Sequence, residues 1–141
     1  MNHKFFTSNS SQTKKVGRAL AAKILKTKSG KKAFIIGLVG DLGSGKTTFL
    51  QGFAQGLGLK NKILSPTFII MRRVGHFYHI DCYRIKNPKE MLALGFKKII
   101  ANPKNIIAVE WADRIRKIMP VNTIWVEFEL LSEKKRRIVV K

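Results

Sequence analysis

The chain has 141 residues, 45% of them hydrophobic, which is enough for one domain with a buried core and leaves little room for a second. Its 28 Lys and Arg against 8 Asp and Glu give a formal charge of +20, which suits an anionic partner (nucleic acid, an acidic protein surface or phosphates) and equally suits an AT-rich codon bias, since Lys far outnumbers Arg and Ile and Asn are abundant. The apolar runs fall short of the roughly 20 residues of a membrane span, Met1 to Lys15 carries no signal-peptide pattern, and the single cysteine, Cys82, excludes an intramolecular disulfide and fits a reducing cytoplasm.

In chain order, Ser8 to Ser11 followed by TKKVGRALAAKIL reads as a capped helix. Val16, Leu20 and Ile24 recur at i, i+4, i+8 and form its apolar stripe, and Gly30 is a stop. AFIIGLV, Ala33 to Val39, is a continuous apolar run of strand length, the pattern of a strand buried on both faces in a parallel sheet. Lys46 to about Leu57 reads as the next helix, ended by Gly56 and Gly58. Pro66 breaks the chain. Phe68 to Arg73 and Phe77 to Asp81 then flank Val74-Gly75 as a hairpin. Asn87-Pro88 opens a helix, with Asn as cap and Pro in the first turn, and Met91, Leu92, Leu94 and Phe96 supply its apolar side. NIIAVEW, Asn105 to Trp111, is a second buried strand, WADRIRKIM a short helix, and TIWVEFELL and RRIVV two strands joined by SEKK. This order predicts an α/β fold: a three-layer P-loop NTPase-like sandwich with a mixed, mainly parallel sheet, residues 1–141 forming one P-loop ATPase domain.

Between the strand and the helix lies GDLGSGKTT, Gly40 to Thr48, with the spacing G-x-x-x-x-G-K-[ST]. Glycine lets the backbone approach a phosphate closely, and successive N–H groups can then line one concavity. The loop residues Asp41, Leu42, Gly43, Ser44 and Gly45 supply that concavity, with Thr48 in the helix turn that follows. The helix that follows adds its positive end. Lys46 is expected to reach the β- and γ-phosphates, and the Thr47 hydroxyl to ligate Mg²⁺. Such a loop needs an acid at the end of a neighbouring strand. Asp81 ends FYHID and Glu110 ends IIAVE, and either can serve the metal or its water. Glu90, Asp113, Glu127, Glu129 and Glu133 fall in surface patterns. Thr67, in the turn SPT, is a candidate for the γ-phosphate, as in switch loops. His79 shares a strand face with Asp81 and reads as a hydrogen-bonded structural histidine.

The class of nucleotide protein narrows by exclusion. A guanine-reading Asn-Lys-x-Asp is missing; Asn102-Pro103-Lys104-Asn105 lacks the acid and precedes a strand. Arg72 and Arg73 could imitate the lid of a small-molecule kinase, the alternative reading, but the chain is short for an acceptor subdomain. An ATP-binding domain that acts on something else is what remains.

GDLGSGKTTF, SPTF, HIDCYRI and AVEW, in this order and spacing across Ser10 to Trp111, together resemble the bacterial TsaE family of tRNA threonylcarbamoyladenosine biosynthesis ATPases. The resemblance implies an Mg²⁺-dependent ATPase; with no cis arginine finger evident beyond the candidate Arg84, turnover is expected to be slow alone and to rise with partners. It implies work with the TsaB–TsaD heterodimer, in which TsaD modifies the adenosine at tRNA position 37, so that tRNA is met indirectly through the complex. By motif, Gly40 to Thr48 would bind ATP, Thr47 and Glu110 would hold Mg²⁺, Asp81 would take part in hydrolysis, and Thr67 would match the switch threonine. Ser10 and Thr13 correspond to an N-terminal Ser/Thr segment that approaches the nucleotide, and Arg137 to an arginine of the tail. Cys82 stands where the family usually has Leu, a packing exchange.

Overall fold

The computed structural model describes residues 2–27, 30–59 and 70–141. Seven strands and four α-helices are found among them, and they fall into two compact units, one of residues 1–28, 40–65 and 126–141 and the other of 29–39 and 66–125.

In the first unit, strand β1 (His3–Thr7) pairs antiparallel with β7 (Arg136–Val140), which pairs antiparallel with β6 (Ile124–Leu130). The sequence pattern did not reveal β1. Four of its five residues are exposed, so no alternation marks it. Helix α1 (Ser10–Lys26) starts at Asn9, whose side chain accepts the Gln12 N–H at 2.9 Å, so the cap is this asparagine inside the predicted Ser8–Ser11 stretch.

The buried stripe of α1 is Thr13, Gly17, Ala21 and Ile24, while Val16 and Leu20 are half-buried at its margin. The reason is the partner, α2 (Lys46–Gly56). A Cβ built on Gly17 would lie 2.2 Å from the Phe49 carbonyl oxygen, and one on Gly52 would lie 2.0 Å from the Lys14 carbonyl oxygen. Backbones this close admit only small residues, so the contact stripe is not the stripe of largest side chains. Lys14 lies against Gly52, Gly17 against Phe49 and Phe53, and Ala21 against Gly56, so the two helices run in the same direction. Phe49 and Phe53 stack at 6.5 Å, and Phe128 of β6 meets Phe49 edge-on at 5.3 Å, which fills the core of this unit.

In the second unit the strand order is β2 (Phe34–Val39), β5 (Ile106–Glu110), β4 (Phe77–Asp81), β3 (Met71–Val74). β2 and β4 both run parallel to β5, and β3–β4 is the expected antiparallel hairpin. Phe68 and Ile69, at the start of the predicted hairpin, lie outside the described residues. β2 and β5 are apolar on both faces because both are covered, as the continuous apolar runs required.

Asn87 and Glu90 form a reciprocal capping box at the start of α3 (Pro88–Ala93). The single helix expected here is two, because Gly95, at φ 87°, starts α4 (Phe96–Ala101) in the left-handed region. Met91 and Phe96 are fully buried, whereas Leu94 is 48% exposed at the break. The short helix after β5 is of the 3₁₀ type, Ala112–Ile118. No helix among the described residues is long and apolar enough to cross a membrane.

Candidate functional site

The loop after β2 has the local geometry that its glycines permit. Gly43 and Gly45 adopt φ of 76° and 105°, a region that a side chain would disfavour. The Ser44 N–H donates to the Asp41 carbonyl at 3.1 Å, closing the turn. Lys46, the first residue of α2, is 6% exposed, and its Nζ donates to the Gly40 carbonyl and, at 2.9 Å, to the Asp41 carbonyl. The ammonium is thus folded over the loop, held by carbonyls that an anion's oxygens could replace. Asp41, Leu42 and Gly43 are exposed, and Thr47 and Thr48 are half-buried.

Two features fit an anion here. Ser44 is 1% exposed, and its Oγ has no hydrogen-bond partner among the described residues, an atom that folding alone leaves unsatisfied. Helix α2 starts at Gly45, a residue with no side chain to cap it.

Beside the loop opens a cavity of about 560 Å³. Asn9, Ser10 and Thr13 from the start of α1 line it, together with Gly45, Thr48 and, from the β6–β7 turn and β7, Glu133 and Arg136. Thr13 is 3% exposed, and its hydroxyl shares a 2.8 Å hydrogen bond with that of Thr7 in β1. The structure therefore brings Ser10 and Thr13, 32 to 38 residues earlier in the chain, to the same cavity as Gly45 and Thr48.

Arg137 is elsewhere. Its guanidinium ion-pairs with Glu129, its cross-strand neighbour, and both are substantially exposed. Arg136, one position earlier and therefore on the other face of β7, is the arginine that lines the cavity. The motif reading named Arg137 and passed over its neighbour. Only the register, which sets Arg136 beside Thr7 and Arg137 beside Phe6, decides between them.

The acids sit in the second unit. Asp81 and Glu110 occupy one row of the parallel β4–β5 pair, and Glu110 is also in register with Leu38 of β2, two residues before Gly40 in the chain. Glu110 is 3% exposed, and its Oε2 lies 2.7 Å from His79 Nε2. The expected hydrogen-bonded histidine is thus present, and its partner is one of the two candidate acids. Asp81 is half-buried, and its Oδ1 accepts the Tyr83 N–H at 2.9 Å. Among the described residues no three His, Cys, Asp or Glu gather as a self-sufficient metal cage. A hydroxyl and a carboxylate are hard oxygen donors, the set that suits Mg²⁺ bound mostly by phosphate and water.

Directly after Glu110, Trp111 has φ 55°, the one non-glycine residue with positive φ among those described. It packs against Tyr83 at 5.1 Å, and Arg114 lies 5.4 and 5.5 Å from the Tyr83 and Trp111 rings. Cys82 is buried, and loss of hydration, with Asp81 and Asp113 nearby, pushes its thiol up to about 12. Thr67 lies outside the described residues.

These features define a mixed α/β protein with a strand, a glycine-rich loop and a helix in sequence, and strand-end carboxylates on the neighbouring strands. A profile of the family described as threonylcarbamoyl adenosine biosynthesis protein TsaE matches residues 7–138, so the chain belongs to the TsaE family. The Rickettsia felis tRNA threonylcarbamoyladenosine biosynthesis protein TsaE is 35% identical over 134 residues, covering 92% of this chain and 74% of that protein. The Bacillus subtilis protein of the same description is 32% identical over 139 residues, covering 96% and 82%. The fold is similar to the crystal structure of Bacillus subtilis YdiB, with a TM-score of 0.77 and 28% identity, over 99% of this chain and 84% of that one.

Proposed function

We propose that this chain is the ATP-binding and ATP-hydrolysing component of tRNA threonylcarbamoyladenosine synthesis, acting in the cytoplasm with a TsaB–TsaD heterodimer and meeting tRNA through that complex. The relatives' shared description supports the pathway. The observation that carries the nucleotide reading is the loop itself: a buried lysine whose ammonium donates to loop carbonyls, beside a buried serine hydroxyl with no partner among the described residues and a helix that starts at a glycine. In this reading the domain is a three-layer P-loop sandwich, and the cavity beside the loop, lined by Thr13, Gly45, Thr48 and Arg136, takes part of the bound nucleotide.

The roles follow from chemistry. Lys46 leaves the Gly40 and Asp41 carbonyls for the β- and γ-phosphate oxygens, and the loop amides share their charge. Thr47 and Glu110 would hold Mg²⁺, which would neutralise charge on the phosphates. Asp81 or Glu110 orients the water whose oxygen attacks the γ-phosphorus, releasing ADP and phosphate. Thr67 contacts the γ-phosphate in the closed loop. Arg84 is the nearest candidate in sequence to stabilise the transferring group. That stabilisation is completed only when partners order the site, so turnover by the chain alone is slow and rises with them.

The test is phosphate release from ATP, with and without TsaB–TsaD and tRNA. The rate rises with the partners; the same rate in both conditions rejects activation. Lys46→Ala loses nucleotide binding or turnover, and unchanged turnover in that variant rejects the loop assignment.

A further inference from the structure

We infer that His79 is a positioning residue for the magnesium site: it holds one oxygen of the Glu110 carboxylate so that the other faces the metal or its water. This rests on the reading of Glu110 as the metal-side acid.

The geometry is specific. His79 on β4 is in register with Ala108 on β5, and Asp81 with Glu110, so the four side chains share one sheet face. Ala108 carries only a methyl group, and the imidazole reaches diagonally past it to Glu110 Oε2 at 2.7 Å. Both partners are almost fully buried, at 1% and 4% side-chain exposure. A carboxylate this deep is poorly hydrated and needs a donor to satisfy it and fix its rotation. Nε2–H supplies that donor to a single oxygen.

A purely architectural role fits less well. His79 Nδ1 has no hydrogen-bond partner among the described residues, so the ring leaves one buried nitrogen unsatisfied. An apolar side chain would pack this face without that penalty. What the imidazole adds over an apolar residue is the bond to Glu110. An outer-shell partner of this kind typically affects metal affinity by about 10–100-fold when removed.

The experiment measures the affinity of a non-hydrolysable ATP analogue by titration calorimetry, with and without Mg²⁺, in the wild type, His79→Ala, His79→Gln, His79→Asn and Glu110→Gln. Circular dichroism checks the fold of each. The quantity read is the factor by which Mg²⁺ tightens binding. His79→Ala is expected to lose about tenfold of that factor while metal-free affinity stays unchanged. The Gln amide nitrogen extends to the Nε2 position and is expected to restore the factor to within about threefold. The Asn amide is too short to reach, and does not restore it.

If His79→Ala fails to fold, the contrast between Gln and Asn decides. Equal, wild-type metal dependence in both overturns the positioning role. If Glu110→Gln keeps the full Mg²⁺ factor, the assignment of Glu110 fails, and the inference falls with it. If Glu110→Gln loses the factor while His79→Ala keeps it, Glu110 stands and the role of His79 is rejected.

Discussion

Gly52→Ala separates local propensity from packing, because the two act with opposite sign. Alanine inside a helix is favoured over glycine by about 1 kcal/mol, so α2 alone would be stabilised. In the fold, the added Cβ would stand 2.0 Å from the Lys14 carbonyl oxygen and 2.6 Å from that residue's carbonyl carbon and Cα. All three are backbone atoms of α1, so no side chain can rotate away. The helices must separate by more than about 1 Å, and the close approach at Gly17, where a Cβ would likewise meet the Phe49 carbonyl oxygen at 2.2 Å, opens with them. Overpacking of this kind costs about 1–3 kcal/mol, and backbone-on-backbone contact places it at or beyond the upper end. A net loss of about 2 kcal/mol is expected. With a urea slope of about 1–3 kcal/mol/M, the unfolding midpoint falls by roughly 1 M, followed by far-ultraviolet circular dichroism. Gln51→Ala, half-exposed on the same helix, serves as the control and stays within about 0.5 kcal/mol of wild type. A Gly52→Ala midpoint equal to or above the wild type refutes the close crossing of α1 and α2.

The remaining predictions address single groups. Arg136→Ala weakens nucleotide affinity about tenfold, the worth of a charge-assisted hydrogen bond, and Arg137→Ala, which breaks an exposed pair with Glu129, leaves it within about twofold; calorimetry with ADP giving the reverse order would reject the register argument. Cys82, its thiol pushed up to about 12 chiefly by burial, resists a thiol reagent at neutral pH in the folded protein and reacts fully in denaturant; rapid native labelling would show that the site opens. The Asn87 and Lys86 amides hold Glu90 below the usual carboxylate range. Its cap therefore contributes stability above the ordinary carboxylate pKa of about 4.3, and that contribution is lost as pH falls through the lower folded value. The difference in melting temperature between the wild type and Glu90→Gln shrinks on acidification, and a difference independent of pH counts against the cap.

The parts of the fold governed by local chemistry were readable from the sequence. The apolar runs at Ala33–Val39 and Asn105–Trp111, the asparagine and proline opening α3, and the glycine loop each follow from the residues on the spot, and the structure has them at nearly those bounds. What depended on partners was less legible. The buried stripe of α1 is built from small residues because another backbone lies against it, which no count of large apolar side chains reveals. Strand β1 exists through its pairing with β7 rather than through its own pattern. Among the site residues, the loop, Ser10 and Thr13 were legible as motif positions. The choice of Arg136 over Arg137 for the cavity needed a strand register, and the union of His79 with Glu110 needed the alignment of two strands far apart in sequence.

The parallel course of α1 and α2 has an electrostatic consequence. Two helices packed side by side in the same direction align their dipoles, and each N-terminus carries the equivalent of about half a positive charge. Both starts line the one cavity, and neither first turn holds an acid to offset the field. The fold thus keeps two like poles together, in a chain whose net charge is already +20. A phosphate placed there relieves a repulsion that the protein otherwise carries alone. Bound anions then act as a counter-charge within the architecture as well as a substrate, and even inorganic phosphate should raise the melting temperature, most of all at low ionic strength.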